Sequence, residues 1–147
     1  MDEKTMKQMA KMVDAVQPKC NEQIVAAMTC SHAGSMSSMG LGLISKFLGG
    51  FGAGAKSSNL PNPVFIAVGA KTVYAFDYAP RGFKFKIKKL AARWSKDEVS
   101  VTTERTRMMA NFVLTTGSGE SYSLEVPTMM GGGELVDVFF EALGGSQ

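Results

Sequence analysis

Residues 83–89 read Phe83-Lys84-Phe85-Lys86-Ile87-Lys88-Lys89, with apolar residues and lysines taking turns. Side chains along an extended strand point alternately to opposite faces. A period of two therefore predicts a strand with Phe83, Phe85 and Ile87 toward a core and Lys84, Lys86 and Lys88 on the other side. The flanking sequence has the same character. From Pro63 to Val126, six strand-like runs follow one another: Val64 to Val68, Thr72 to Tyr78, Phe83 to Leu90, Val99 to Met108, Asn111 to Thr116 and Glu120 to Val126. The segments between them carry turn signals, among them Gly69-Ala70-Lys71, Ala79-Pro80-Arg81-Gly82 and Gly117-Ser118-Gly119. In these the glycines supply a permissive backbone and the proline a fixed one. Trp94 stands alone between the third run and the polar turn Ser95-Lys96-Asp97-Glu98. In the last hairpin, Tyr122, Leu124 and Val126 are expected to face inward.

Upstream, Gln23 to Cys30 holds the apolar run Ile24-Val25-Ala26-Ala27-Met28 and suits a first strand, with a short helix as the alternative. Before it, Met6, Met9, Met12, Val13 and Val16 recur at spacings of three and four while Lys4, Lys7 and Lys11 mostly lie elsewhere, which predicts an amphipathic helix over Asp2 to Val16. Pro18 ends that helix, because proline lacks an amide hydrogen and disfavours helical geometry in the residue before it. Its methionine stripe is expected to pack on the sheet or on a second copy of the chain. After Pro127 the period changes. Leu135, Val136, Phe139, Ala142 and Leu143 form one helical face with Glu134 and Glu141 outside it, and Gly144 is suited to the left-handed residue that follows a helix.

The expected fold is thus mainly β (α+β): a seven-stranded antiparallel barrel or curved sheet, capped by a C-terminal helix and preceded by an extra N-terminal amphipathic helix. The helix takes residues 1–18 and a single domain takes 19–147, large enough at this length and 45% hydrophobic content to fold on its own core. Within that domain, residues 31–62 read as one long loop rich in glycine and serine. Connections of that length usually carry function, disorder or a short hidden element.

Chemistry-bearing motifs are few. Cys20 and Cys30 lie ten apart with one histidine, His32, nearby; this is too small a set for structural zinc and the wrong spacing for a redox pair, so both read as thiols. His32 lacks an acidic neighbour that would orient it as a catalytic base and reads as an exposed bystander. Gly49-Gly50-Phe51-Gly52-Ala53-Gly54-Ala55-Lys56-Ser57 imitates a phosphate-binding loop, but Ala55 separates glycine from lysine and the flanking strand and helix are missing. Neither an enzyme nor a cofactor or metal site is expected. The start of the chain does not resemble a signal peptide and no apolar stretch is long enough to span a bilayer, which makes the cytoplasm the default location.

The net charge is only +3, yet between Lys71 and Lys96 eight basic residues face Asp77 alone. Arg81, Lys84, Lys86, Lys88, Lys89 and Arg93 are therefore the candidate binding residues, for an acidic protein or an anionic membrane surface. The bland alternative is a solvated strand whose lysines guard a sheet edge. Nucleic acid is not expected, because alternation places Phe83 and Phe85 opposite the lysines and not among them as stacking platforms. A second candidate is Met39 to Phe51. Leu41, Leu43, Ile44, Phe47, Leu48 and Phe51 make an apolar side that is long enough to enter a membrane interface but not to cross it, with Lys46 at the headgroups; the favoured alternative is that they fold back over the barrel mouth or pack in an oligomer.

Seven strands followed by one terminal helix is the order of the pleckstrin-homology-like fold, and this chain resembles small bacterial domains of that type. The match is carried by Val64 to Phe76, by Lys89 to Val99 and by Leu135 to Leu143. The resemblance implies a binding or scaffolding module. Inositide-binding members of that type cluster basic residues on the loop between the first two strands to hold the headgroup, a site that does not carry over to this chain. Here that loop offers only Lys46 and Lys56. The function expected is a non-enzymatic module engaging an anionic partner through its basic strand; the alternative is a structural protein that assembles with copies of itself through residues 1–16 or a sheet edge.

Overall fold

The computed structural model describes residues 3–32, 60–61, 63–81, 84–105, 109–128 and 132–144. In chain order the elements are α1 (Glu3–Val16), β1 (Ile24–His32), β2 (Val64–Gly69), β3 (Thr72–Arg81), β4 (Lys84–Ser95), β5 (Ser100–Arg105), β6 (Met109–Thr115), β7 (Ser121–Pro127) and α2 (Gly132–Ala142). The seven strands form one antiparallel sheet in the order β4-β3-β2-β1-β7-β6-β5. The sheet is curved and does not close into a barrel, so β4 and β5 are its two edges.

Directly opposed residues in a ladder share a face, which lets the register sort the side chains. Ile66 and Val68 of β2, Met28 of β1, Val73 of β3 and Trp94 of β4 share one face with Phe112, Leu114, Tyr122 and Leu124 from the other wing. This face is concave, for the Trp94 and Tyr122 rings meet at 5.4 Å although their strands lie four positions apart in the sheet. Helix α2 fills the hollow. Phe139 and Phe140 pack on Phe112 with ring centroids 6.0 and 5.2 Å away, and Val136 and Leu143 are buried beside them. Phe140 lies outside the apolar stripe expected for this helix. It is buried all the same, because a helix set into a curved sheet is covered on more than one side. Tyr122, Leu124 and Val126 point inward as expected.

Two contacts secure the ends of α2. Arg105, at the end of β5, pairs with Asp137 and donates to the Gly133 carbonyl at 3.2 Å. At the other end Gly144 adopts φ +85 while its N–H reaches the Glu141 carbonyl at 3.0 Å, the left-handed termination read from the sequence. A Cβ at Gly144 would meet nothing within 4 Å, so Gly144→Ala isolates the backbone cost. It should lower stability by about 1 kcal/mol, measured as a shift in thermal midpoint.

Helix α1 begins and ends close to where its periodicity places it, and it packs against β1, the start of β4 and α2. Among the described residues β7 pairs with β1 only at Ser31 and His32, which leaves the earlier part of that strand edge to the helix. There the Ala27 N–H donates to Met9 Sδ at 3.3 Å, while Met12 and Val16 are buried alongside. Met6, expected within the buried stripe, is instead 53% exposed, because the buried face runs through Thr5, Met9, Met12 and Val16 and Met6 lies to one side of it.

Three local readings are corrected. The turn expected at residues 79–82 is strand as far as Arg81, since β2 begins opposite Asp77 and leaves Pro80 with β4 alone as its neighbour, where a missing amide hydrogen is tolerated. Trp94 does not stand alone but lies within β4, which runs to Ser95. Ser31 and His32, read as loop, end β1. No described helix is long and apolar enough to cross a membrane.

Candidate functional site

The long β3–β4 hairpin carries the residues singled out for their charge. Its ladder opens with Arg81 opposite Lys84, Pro80 opposite Phe85, Ala79 opposite Lys86 and Tyr78 opposite Ile87. Arg81, Lys84 and Lys86 therefore share one face and are exposed. Phe85 and Ile87 take the other, where Phe65, Tyr78 and Phe85 form a three-ring cluster with centroids 5.5 to 6.1 Å apart. The alternation read from the sequence holds as far as Ile87. Phe83 lies outside the described residues.

Beyond Ile87 the register shifts twice. Phe76 pairs with Leu90, so Lys88 and Lys89 together oppose the single residue Asp77; Ala75 then pairs with Ala92, which leaves Ala91 as a second extra residue. Each extra residue bends the strand and resets which way later side chains point. Arg93 pairs with Tyr74 and so lies on the face of Phe76 and Tyr78, opposite to Arg81, Lys84 and Lys86. All six basic residues are exposed, but the structure groups three, sets Lys88 and Lys89 in a bulge and sends Arg93 to the other side. The signal in the sequence was the loss of strict alternation at Lys88-Lys89-Leu90-Ala91-Ala92. Leu43, Ile44, Lys46, Phe47 and Leu48, the candidate interfacial segment, lie outside the described residues.

A second polar arrangement, not read from the sequence, clips the start of β1 to the β2–β3 turn. The Glu22 carboxylate accepts from the Lys71 N–H at 2.7 Å and from the Tyr74 hydroxyl at 3.1 Å. Gly69 permits this approach, since a Cβ there would stand 2.5 Å from Glu22 Oε1. The Gln17 side chain donates to the Glu22 carbonyl at 2.7 Å and accepts from the Ile24 N–H at 2.9 Å. The Lys71 amide in particular holds the Glu22 carboxyl below its ordinary 4.5, against a smaller opposing effect of burial. A carboxylate with a depressed folded pKa contributes stability that is present above 4.5 and lost as the pH falls through the folded value. Glu22→Gln should therefore be less stable than the parent near neutral pH and converge with it in acid, as read from urea midpoints at about pH 7 and about pH 3.

The remaining reactive groups are quiet. Burial raises the Cys20 thiol to about 11, helped by the negative charge of Glu22, and raises that of fully buried Cys30 further, so neither is a ready nucleophile. His32 is half-buried, with Nε2 3.0 Å from the Pro61 carbonyl. On the convex side of β5–β6–β7, Glu104, Asn111 and Glu125 stand in one cross-strand row, with Asn111 and Glu125 buried. Among the described residues no three metal-ligating side chains converge. No family model, curated protein or solved structure matches this chain.

Proposed function

We propose that the chain is a non-enzymatic binding module of pleckstrin-homology-like type that engages an anionic partner, a protein or a membrane surface, through the basic side of the β3–β4 hairpin. The observation that carries this reading is the cross-strand grouping of exposed Arg81, Lys84 and Lys86, with Lys88 and Lys89 bulged beside them. The order of seven antiparallel strands before a terminal helix supports the likeness in fold. Each lysine near an anionic surface contributes about 1 kcal/mol. Reversing Lys84, Lys86 and Lys88 to glutamate should weaken binding to anionic vesicles, or to co-purifying proteins, by about a hundredfold or more. Stability should change little, because these side chains are exposed. Raising the salt concentration should weaken the parent in the same assay, since exposed charges are screened beyond about 8 Å at physiological ionic strength. Unchanged vesicle and protein binding by the triple variant would overturn the reading.

A second reading, self-assembly, draws on the open sheet, whose edges β4 and β5 have no further strand among the described residues, and on exposed Met6. Truncation before Lys19 is a poor test, because it strips Met9, Met12 and Val16 from the core. Mass measured by light scattering across a concentration series, for the parent and for Met6→Lys, is the clean one. A constant monomer mass would exclude assembly.

A further inference from the structure

Helix α1 does not close fully onto the sheet. Below it lies an open cleft of about 270 Å³ whose apolar walls are Met12, Met28, Phe85, Val126 and Leu135, with Gln8 and Lys11 among its polar lining. A second groove of similar volume adjoins it, sharing Lys11 and Phe85 and adding Asp14, Ala15 and Lys84. The Phe85 ring thus forms a wall common to an apolar hollow and a charged mouth. We infer that this cleft binds one molecule of a single-chain amphiphile with a monoanionic head, of the medium-chain fatty acid class.

Three observations converge on that chemistry. The apolar hollow falls just below the roughly 300–1,000 Å³ of pockets that take drug-sized ligands, which suits one short chain and not the two chains of a phospholipid. Two of its walls are methionines, whose unbranched side chains adapt to a flexible tail. The mouth carries two ammonium groups, Lys11 and Lys84, against one carboxylate, Asp14, a balance that favours a single negative charge. Lys84 also belongs to the basic surface proposed above, and the inference rests on that reading of the strand as anion-seeking.

The test uses the full chain with ¹³C-methyl methionine and decanoate below its micelle concentration. The Met12 and Met28 methyl resonances should shift saturably, while Met109 on β6 should not. Decyltrimethylammonium, with the same tail and the opposite charge, should leave all three unmoved. Lys84→Glu should weaken decanoate binding by about tenfold. Gln8→Trp, at an exposed position of the lining, should obstruct the cleft, and the unperturbed methyl spectrum of each variant reports that it is folded. The inference is overturned if Met12 and Met28 do not saturate below about 1 mM decanoate, if the cationic amphiphile binds equally well, or if folded Lys84→Glu binds as the parent does. Should decanoate fail while vesicle binding still depends on Lys84, Lys86 and Lys88, the cleft falls and the basic surface stands. Should both fail, both readings fall.

Discussion

Phe139→Ala should cost about 3–5 kcal/mol, the range for removing a large aromatic from a packed core. Single domains are stable by only about 5–15 kcal/mol, so this one change should remove a large share of the total. Phe139 is fully buried, and it contacts Phe112 edge-on at 6.0 Å and Phe140 at 6.0 Å. The loss is large because Phe139 is set among the aromatic rings of the concave face. The buried side chains of α2 sit in that face, and shortening one leaves a void between two elements that curvature holds apart. Urea unfolding should show a lower midpoint with the slope retained. A cost below about 1 kcal/mol would mean that α2 is not set into the sheet as described.

Phe65→Ala should cost about as much on the opposite face. Phe65 is fully buried and stands edge-on to Tyr78 at 5.5 Å and to Phe85 at 5.6 Å. The faces follow from register. Phe65 is opposite Thr29 of β1, whereas Phe112 is opposite Leu124, which is opposite His32; Thr29 and His32 are an odd number of residues apart and point to opposite sides. Among the described residues Phe65 and Phe139 share no ring partner, so the two losses should add to within about 0.5 kcal/mol in a double-mutant cycle. Strong coupling would mean that the two faces are not independent. Because Phe85 also walls the cleft beneath α1, Phe65→Ala should loosen that wall as well, and the Met12 methyl should report it even without ligand.

What the amino-acid order determined by itself is local. The unbroken apolar run Val64 to Val68, the alternation over Phe85 to Ile87, the three-and-four spacing of Met9, Met12 and Val16, and the glycine after α2 each follow from a pattern held within a few residues, and each element stands close to where that pattern puts it. Seven strands between two helices could be read for that reason. The candidate surface was legible only in part. Alternation placed Lys84 and Lys86 together, but the bulges at Lys88-Lys89 and Ala91 arise from pairing with β3, so only the partner strand decides that Arg93 turns away. Tertiary structure alone decided that the sheet stays open, and that β7, among the described residues, meets β1 only at Ser31 and His32 while α1 takes up the earlier part of that edge. It also brought Glu22 to the Lys71 amide and left a cleft between Met12, Met28 and Phe85. These features join residues tens of positions apart. Their energies depend on how strand edges, curvature and side-chain volumes fit at once, and no window of sequence carries that information.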